Sequence, residues 1–273
     1  MRHLFRVLLT SLVFTSLSDG NSLSENRPEA HYVRQATEVE ASILVRVRGV
    51  GVCSGAPVEG TNLVITAAHC VRDEKTKKVS NRFDLRVEKD GVRYDIEQVL
   101  IDSTPHPGVR PEYDAAVLIM KDAVPGPGVS LAESFTGKQS TVLIGFQSVD
   151  TDGTWLRGKN YDDKPSPKGA SKGVSFTSAA PAACSVEGSD ITWSSKYWTI
   201  PCGMVPGGSG GPLVVSTATG YKLVGVLSTV SYDLTKNGIV PVERVQEMLE
   251  DPSAFVSKPG PVSPTNSSKN FMR

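Results

Sequence analysis

An excess of charge of either sign is missing from this sequence. Its 29 basic residues are matched by 29 acidic ones, so no bulk field recruits nucleic acid or an anionic membrane surface. Beyond the N-terminus no apolar run approaches the length of a transmembrane helix, about 20 residues. Only four cysteines occur, and no two of them have the close spacing of a zinc knuckle. There is no internal repeat, and no acidic loop argues for calcium.

Glycine and proline, by contrast, are plentiful. The chain of 273 residues carries 25 Gly and 18 Pro, and 39% of it is hydrophobic. It is long enough for one large domain or two small ones with a substantial core. The spread of turn residues favours short strands over long helices.

The first residues read as an address. Met1, Arg2, His3 and Arg6 belong to a basic lead-in, an apolar run covers 7–17, and Ser16, Ser18 and Gly20 supply small or polar residues for cleavage. The run is too short to span about 30 Å of hydrocarbon, so 1–20 is expected to be a signal peptide. An exported chain fits two disulfides among Cys53, Cys70, Cys184 and Cys202. Spacing leaves three connectivities open, of which Cys53–Cys70 with Cys184–Cys202 closes the smallest loops.

Residues 21–36 are polar and aperiodic and read as a linker or short propeptide. Strands are expected at 43–47, 63–66, 83–87 and 115–120, with Asp90-Gly91 as a hairpin turn. Pro125-Gly126-Pro127-Gly128 marks a boundary between halves at 37–128 and 129–257. In the second half strands are expected at 141–144, near Val174, Ile191 and Tyr197, and at 213–215 and 223–227, the last two joined by a turn at Thr219-Gly220. The Lys/Gly/Pro-rich stretch 150–172 reads as a loop. Only 241–250 reads as a helix, with Val242, Val245, Met248 and Leu249 on one face and Pro252 as its stop. The tail 258–273 is expected to be disordered; it contains the sequon Asn266-Ser267-Ser268. Many short strands in two halves argue for an all-β protein of two packed barrels or sandwiches.

Three segments carry chemistry. Thr66-Ala67-Ala68-His69-Cys70 ends a buried strand, Tyr113-Asp114-Ala115 opens one, and Pro206-Gly207-Gly208-Ser209-Gly210-Gly211-Pro212 is a glycine-flanked serine. A serine hydroxyl needs a base within reach to become a nucleophile. Histidine can take that proton and return it, and a buried aspartate fixes its tautomer and steadies the imidazolium. The small residues beside Ser209 let a carbonyl approach the backbone, and the amides of Gly207 and Ser209 are the expected oxyanion donors. Each segment alone has a blander reading as packing, cap or turn; their occurrence together favours catalysis by His69, Asp114 and Ser209. Activity is then expected to rise through about pH 6–7, where an ordinary imidazole loses its proton.

These segments resemble the chymotrypsin–trypsin family of serine proteases over roughly 40–250, through a TAAHC-type histidine segment, an aspartate before an apolar strand and a GxSGGP serine loop in the order His, Asp, Ser. The α/β-hydrolase order is different. The resemblance implies two antiparallel six-stranded β-barrels with a short C-terminal helix, His69 and Asp114 in the first barrel and Ser209 in the second. It also implies that Cys53–Cys70 ties the preceding strand to the histidine loop, that His106 in Pro105-His106-Pro107 is structural, and that Ser228 supports Asp114. By matching positions, Gly203, Met204, Ser228, Val230 and Gly238 bind substrate. No acid stands at the pocket base, and Val230 narrows the mouth, so a small or medium apolar residue is expected at the cleaved position; Glu187 or Asp190 would change that by entering the pocket.

The chain departs from the family at Gly208, where most members carry an aspartate that receives a newly released N-terminus, and no Ile-Val-Gly-Gly start is present. The oxyanion loop is therefore expected to be held by local packing and Cys202. The whole points to a secreted (extracellular or periplasmic) serine endopeptidase. It would act as a monomer on protein or peptide substrates without a cofactor or metal, with no nucleic-acid partner and no membrane association after signal removal. The alternatives are an inactive homologue serving as a binding module and a secreted esterase.

Overall fold

The computed structural model describes residues 33–49, 51–72, 79, 85–102, 111–148, 179–194, 196–204, 207–230 and 236–257. The leader, His106 and its flanking prolines, the 150–172 loop, the strand near Val174 and the tail fall outside these residues.

Strand β1 (Arg34–Gln35) and helix α1 (Glu38–Ser42) lead into β2 (Val45–Arg48), β3 (Val52–Pro57) and β4 (Leu63–Ala67). Helix α2 (Ala68–Val71) precedes β5 (Arg86–Lys89), β6 (Val92–Tyr94), β7 (Ile96–Ile101) and β8 (Ala115–Met120). The second half holds β9 (Val129–Leu131), β10 (Thr141–Ser148), β11 (Ala179–Val186), β12 (Thr192–Trp193) and β13 (Trp198–Ile200). It continues with β14 (Pro212–Thr217), β15 (Gly220–Val230), β16 (Asn237–Pro241), helix α3 (Val242–Glu250) and β17 (Val256–Ser257).

These strands make two curled sheets of the chymotrypsin type. One runs β17-β7-β8-β4-β3-β2-β5-β6; the other runs β1-β11-β10-β14-β15-β16-β13-β12, with β9 added beside β15. Pairing is antiparallel except for β9, which lies parallel to β15. The expected six strands per barrel are thus corrected to eight and nine among the described residues. The additions include two- or three-residue edge strands, too short to show a period in sequence.

The apolar strands are continuous runs because they are buried on both faces. In β8, Ala115 and Val117 pack into a core shared with the second half, whereas Ala116, Leu118 and Met120 fill the interior of the first sheet. Successive side chains of a strand point to opposite faces, so one strand serves two cores. The interface between the halves is therefore itself hydrophobic core.

Local signals account for the connections. Lys89 pairs with Val92 across Asp90 and Gly91, whose φ values of 51° and 78° are those of a two-residue type I′ hairpin. The expected Thr219-Gly220 turn is shifted by one, since Gly220 already belongs to β15. Helix α3 buries Val242, Val245 and Met248. The expectation of one helix is corrected by α1 and α2. Helix α1 opens with a capping box: Thr37 Oγ1 accepts from Glu40 N, and Thr37 N donates to the Glu40 carboxylate.

The first and last of the described strands cross over. Arg34 and Gln35, in the expected linker, pair with Ala183 and Ala182 of the second sheet, while Val256 and Ser257 pair with Leu100 and Val99 of the first. Helix α3 is also tied across: Arg244 pairs with Asp102 at 2.5 Å and stacks on the Tyr113 and Phe255 rings. Arg72 donates to the Asp102 carbonyl. Two distant parts of the chain thus converge on one buried acid.

Candidate active site

The site forms where β4 runs into α2. Strand β4 pairs with β8 along its whole length, ending with Ala67 opposite Ala115, so the residues after one strand meet the residue before the other. Ala68 N donates to the Asp114 carbonyl and His69 N to Asp114 Oδ1, at 3.1 and 2.8 Å. The His69 ring closes the arrangement, with Nδ1 2.7 Å from Asp114 Oδ2. From the second half, Ser228 on β15 donates to that same oxygen at 2.6 Å.

The Asp114 side chain is only 5% exposed and His69 24%. An ionised carboxylate only accepts, so Nδ1 carries the proton and the neutral ring keeps its lone pair on Nε2. A base oriented in this way, partly open to solvent, can take a proton from a nucleophile.

The serine loop lies against the same structure. Ser54 N donates to the Ser209 carbonyl at 2.8 Å, Gly210 N to Leu227 O and Gly211 N to Gly208 O. Cys53 and Cys70 form a disulfide. Its Cys70 sulfur sits 3.7 Å from His69 Nε2 and 3.8 Å from the Ser209 carbonyl oxygen. The Ser209 hydroxyl makes no hydrogen bond to a described residue. The structure thus places the Ser209 backbone and the histidine ring across one shared sulfur.

The glycines of this loop are dictated by space. Gly210 has φ +80°, and a Cβ there would run into Thr66 Oγ1 and the Ser54 carbonyl. A Cβ at Gly211 would strike the Ile144 carbonyl. Gly207 has φ +105°, a conformation open to glycine. The amides of Gly207, Gly208 and Ser209 donate to no acceptor among the described residues, which leaves donors that an oxyanion can use.

The second disulfide, Cys184–Cys202, anchors the segment carrying Gly203 and Met204. Asn237, unmarked in the sequence reading, holds that segment: its Oδ1 accepts from Met204 N and its Nδ2 donates to Met204 O, both at 3.0 Å. The same Nδ2 reaches the Thr229 carbonyl at 3.3 Å. A Cβ on Gly238 would collide with Thr229 Oγ1, so the Thr229 side chain occupies space left by that glycine. The side chain of Val230 lies outside the described residues. Glu187 accepts from Ser140, and Asp190 is exposed in a 3-10 turn. The buried acids among the described residues are Glu40, Asp102 and Asp114, each of which faces a basic partner: Arg34, Arg244 or His69.

Cys53, His69 and Cys70 bring three potential metal-ligand atoms within 4.8 Å of one another, but both sulfurs are spent in a disulfide and offer no thiolate. Among the described residues no helix is long and apolar enough to cross a membrane.

A family model described as a trypsin-like peptidase domain matches residues 49–226. Among solved structures, a thermostable serine protease, AL20, from an extremophilic microorganism is 17% identical with a TM-score of 0.53, covering 76% of this chain and 95% of that one. The protease Anisep from Arthrobacter nicotinovorans is 16% identical with a TM-score of 0.52, covering 77% and 93%. A Glu endopeptidase in complex with MPD is 13% identical with a TM-score of 0.54, covering 80% and 97%. A comparison with curated proteins finds no match.

Proposed function

This chain belongs to the trypsin/chymotrypsin-like serine protease family, and from that premise we propose that it is an exported endopeptidase whose triad is His69, Asp114 and Ser209. The observation that carries the reading is the Asp114 carboxylate, gripped by His69 from one half of the molecule and Ser228 from the other.

In this reading Ser209 Oγ attacks a peptide carbonyl while His69 Nε2 accepts its proton, and Asp114 stabilises the resulting cation. The tetrahedral oxyanion is received by the amides of Gly207 and Ser209. Collapse expels the amine, which takes the proton back from His69, and leaves an acyl-enzyme. Water activated by the same ring then releases the acid.

Export, after loss of a leader at 1–20, is supported by two disulfides. The catalytic halves divide at 128/129. The pocket bounded by Gly203, Met204, Val230 and Gly238 accepts a small or medium apolar residue, a reading supported by the positions of Glu187 and Asp190 away from any buried site. A peptide library in which Arg or Lys dominated the cleaved position would reject that preference.

The test is labelling with a fluorophosphonate followed by mass spectrometry, beside a Ser209→Ala control. Rapid single-site modification at Ser209 supports the proposal. Failure to label, before and after limited proteolysis, would leave a binding module in its place.

A further inference from the structure

Donors aimed at an oxyanion act best when their peptide planes are fixed before substrate arrives. The serine loop has little of its own with which to fix them. Gly207, Gly208, Gly210 and Gly211 carry no side chains, so the loop is anchored through its backbone, in large part by groups lying elsewhere.

Those anchors converge on Ser54 of β3. Its hydroxyl donates to the Gly207 carbonyl at 2.7 Å, and its backbone N–H donates to the Ser209 carbonyl at 2.8 Å. The carbonyl between them, that of Gly208, is held by Gly211 N. Three consecutive carbonyls of the loop are therefore turned inward, two of them by one residue.

The direction of the Ser54 hydroxyl is itself determined. Phe146 N on β10 donates to Ser54 Oγ at 2.7 Å. A hydroxyl has one proton; with the oxygen engaged as acceptor by Phe146, that proton is directed to the Gly207 carbonyl. Ser54 is wholly buried, so no water competes for the bond. Gly145 leaves the room this needs, since a Cβ there would lie 3.2 Å from Ser54 Oγ and 3.1 Å from the Gly208 Cα.

In a planar trans peptide the C=O and N–H point in opposite directions. Turning the Gly207 and Gly208 carbonyls inward therefore turns the amides of Gly208 and Ser209 the other way. Together with Gly207, these are the amides that have no acceptor among the described residues.

We propose that Ser54 is a positioning residue for the reaction: its hydroxyl, oriented by Phe146, locks the Gly207 carbonyl inward and so preorganises the oxyanion loop. The inference rests on the endopeptidase reading above. It gives a residue to the local packing that the sequence led us to expect beside Cys202, whose disulfide lies in the segment before the loop. It also explains how the loop is set with glycine at 208. The anchor belongs to an interior strand of the first sheet.

The experiment compares wild type with Ser54→Ala, using kcat, KM, thermal stability and the affinity of a peptide aldehyde, which Ser209 converts to a tetrahedral adduct. The cleaved peptide product serves as a ligand that forms no oxyanion. For S54A, kcat and aldehyde affinity are expected to fall together by about tenfold to a hundredfold, with KM and product affinity changed by less than about threefold. Glu40→Gln is the control for lost stability alone, and is expected to lower Tm without moving kcat or aldehyde affinity. The proposal is overturned if S54A lowers Tm yet leaves kcat and aldehyde affinity within about twofold of wild type. It is equally overturned if S54A weakens product and aldehyde alike. Should S54A not fold, Ser54→Gly carries the same expectation and the same overturning results. A wild type that does not label at Ser209 removes the endopeptidase reading and this inference together, whereas a labelling wild type with an unaltered S54A removes this inference alone.

Discussion

His69 and Ser228 share one oxygen of Asp114: the ring nitrogen lies 2.7 Å from Oδ2, and the Ser228 hydroxyl donates to the same atom at 2.6 Å. Oδ1 takes the His69 backbone N–H. Every bond to the carboxylate thus restrains the orientation of the one imidazole, and the restraint comes from both halves of the chain.

Replacing that carboxylate with an amide should be severe while leaving the fold intact. Asp114→Asn can present an N–H toward Nδ1, forcing the wrong tautomer, and a loss in kcat of about 10⁴-fold is expected. Ser228→Ala removes one hydrogen bond to a charged group, and a loss of about tenfold is expected. Steady-state kinetics on a peptide substrate check both; equal losses for the two variants would mean that Ser228 does more than support Asp114.

Gly210→Ala should be among the most damaging single-methyl additions in the protein. The new carbon meets Thr66 Oγ1 and the Ser54 carbonyl at a φ of +80°, where an L-residue is already strained by about 1–2 kcal/mol. Displacement of Ser209 follows, so fluorophosphonate labelling should slow by at least about a hundredfold even in preparations with native circular dichroism. Retained labelling would show that β4 yields instead of the loop.

The N-terminal strap should carry a pH-dependent part of the stability. The paired hydrogen bonds from Arg34 hold the Glu40 carboxyl below its ordinary range against the opposing effect of burial. A depressed carboxyl stabilises the fold at pH above its unfolded value, and that stability is lost as pH falls through the folded value. Glu40→Gln should therefore lower Tm at pH 7, with a cost of about 1–2 kcal/mol given that Arg34 is half exposed. The difference from wild type should shrink below about pH 4. Thermal melts from pH 3 to 8 check it; a constant difference would show that the charge of Glu40 contributes nothing to the loss.

Arg244→Met should destabilise without touching the chemistry directly. It leaves an apolar stem against the Tyr113 and Phe255 rings but strips Asp102, 7% exposed, of a charged partner. Breaking one side of such a buried pair costs about 3 kcal/mol, to be read from urea denaturation. Asp102→Asn combined with R244M should recover part of the loss.

The site segments were legible because their chemistry is local. His69, Asp114 and Ser209 each sit in a short distinctive stretch, and the runs at 115–120 and 63–66 announced the short strands found there. The capping box from Thr37 to Glu40 was equally readable, as Thr three places before Glu, yet no helix is expected there from the sequence. What remained hidden is what depends on distant pairing. Ser54 meets Gly207 across 153 positions, and Asn237 meets Met204 across 33; neither carries a mark in its own neighbourhood. The strands β1 and β17 have two residues each, fewer than any period needs.

The crossed ends have a bearing on timing. A ribosome releases this chain from the N-terminus, yet Arg34 cannot pair until Ala183 exists, and Leu100 must wait for Val256. The second sheet has its full set of strands only after Pro241 has been made, and the first only after Ser257. A sheet closed in this way is a late product of the chain, because its outermost strands pair with partners made long after or long before them.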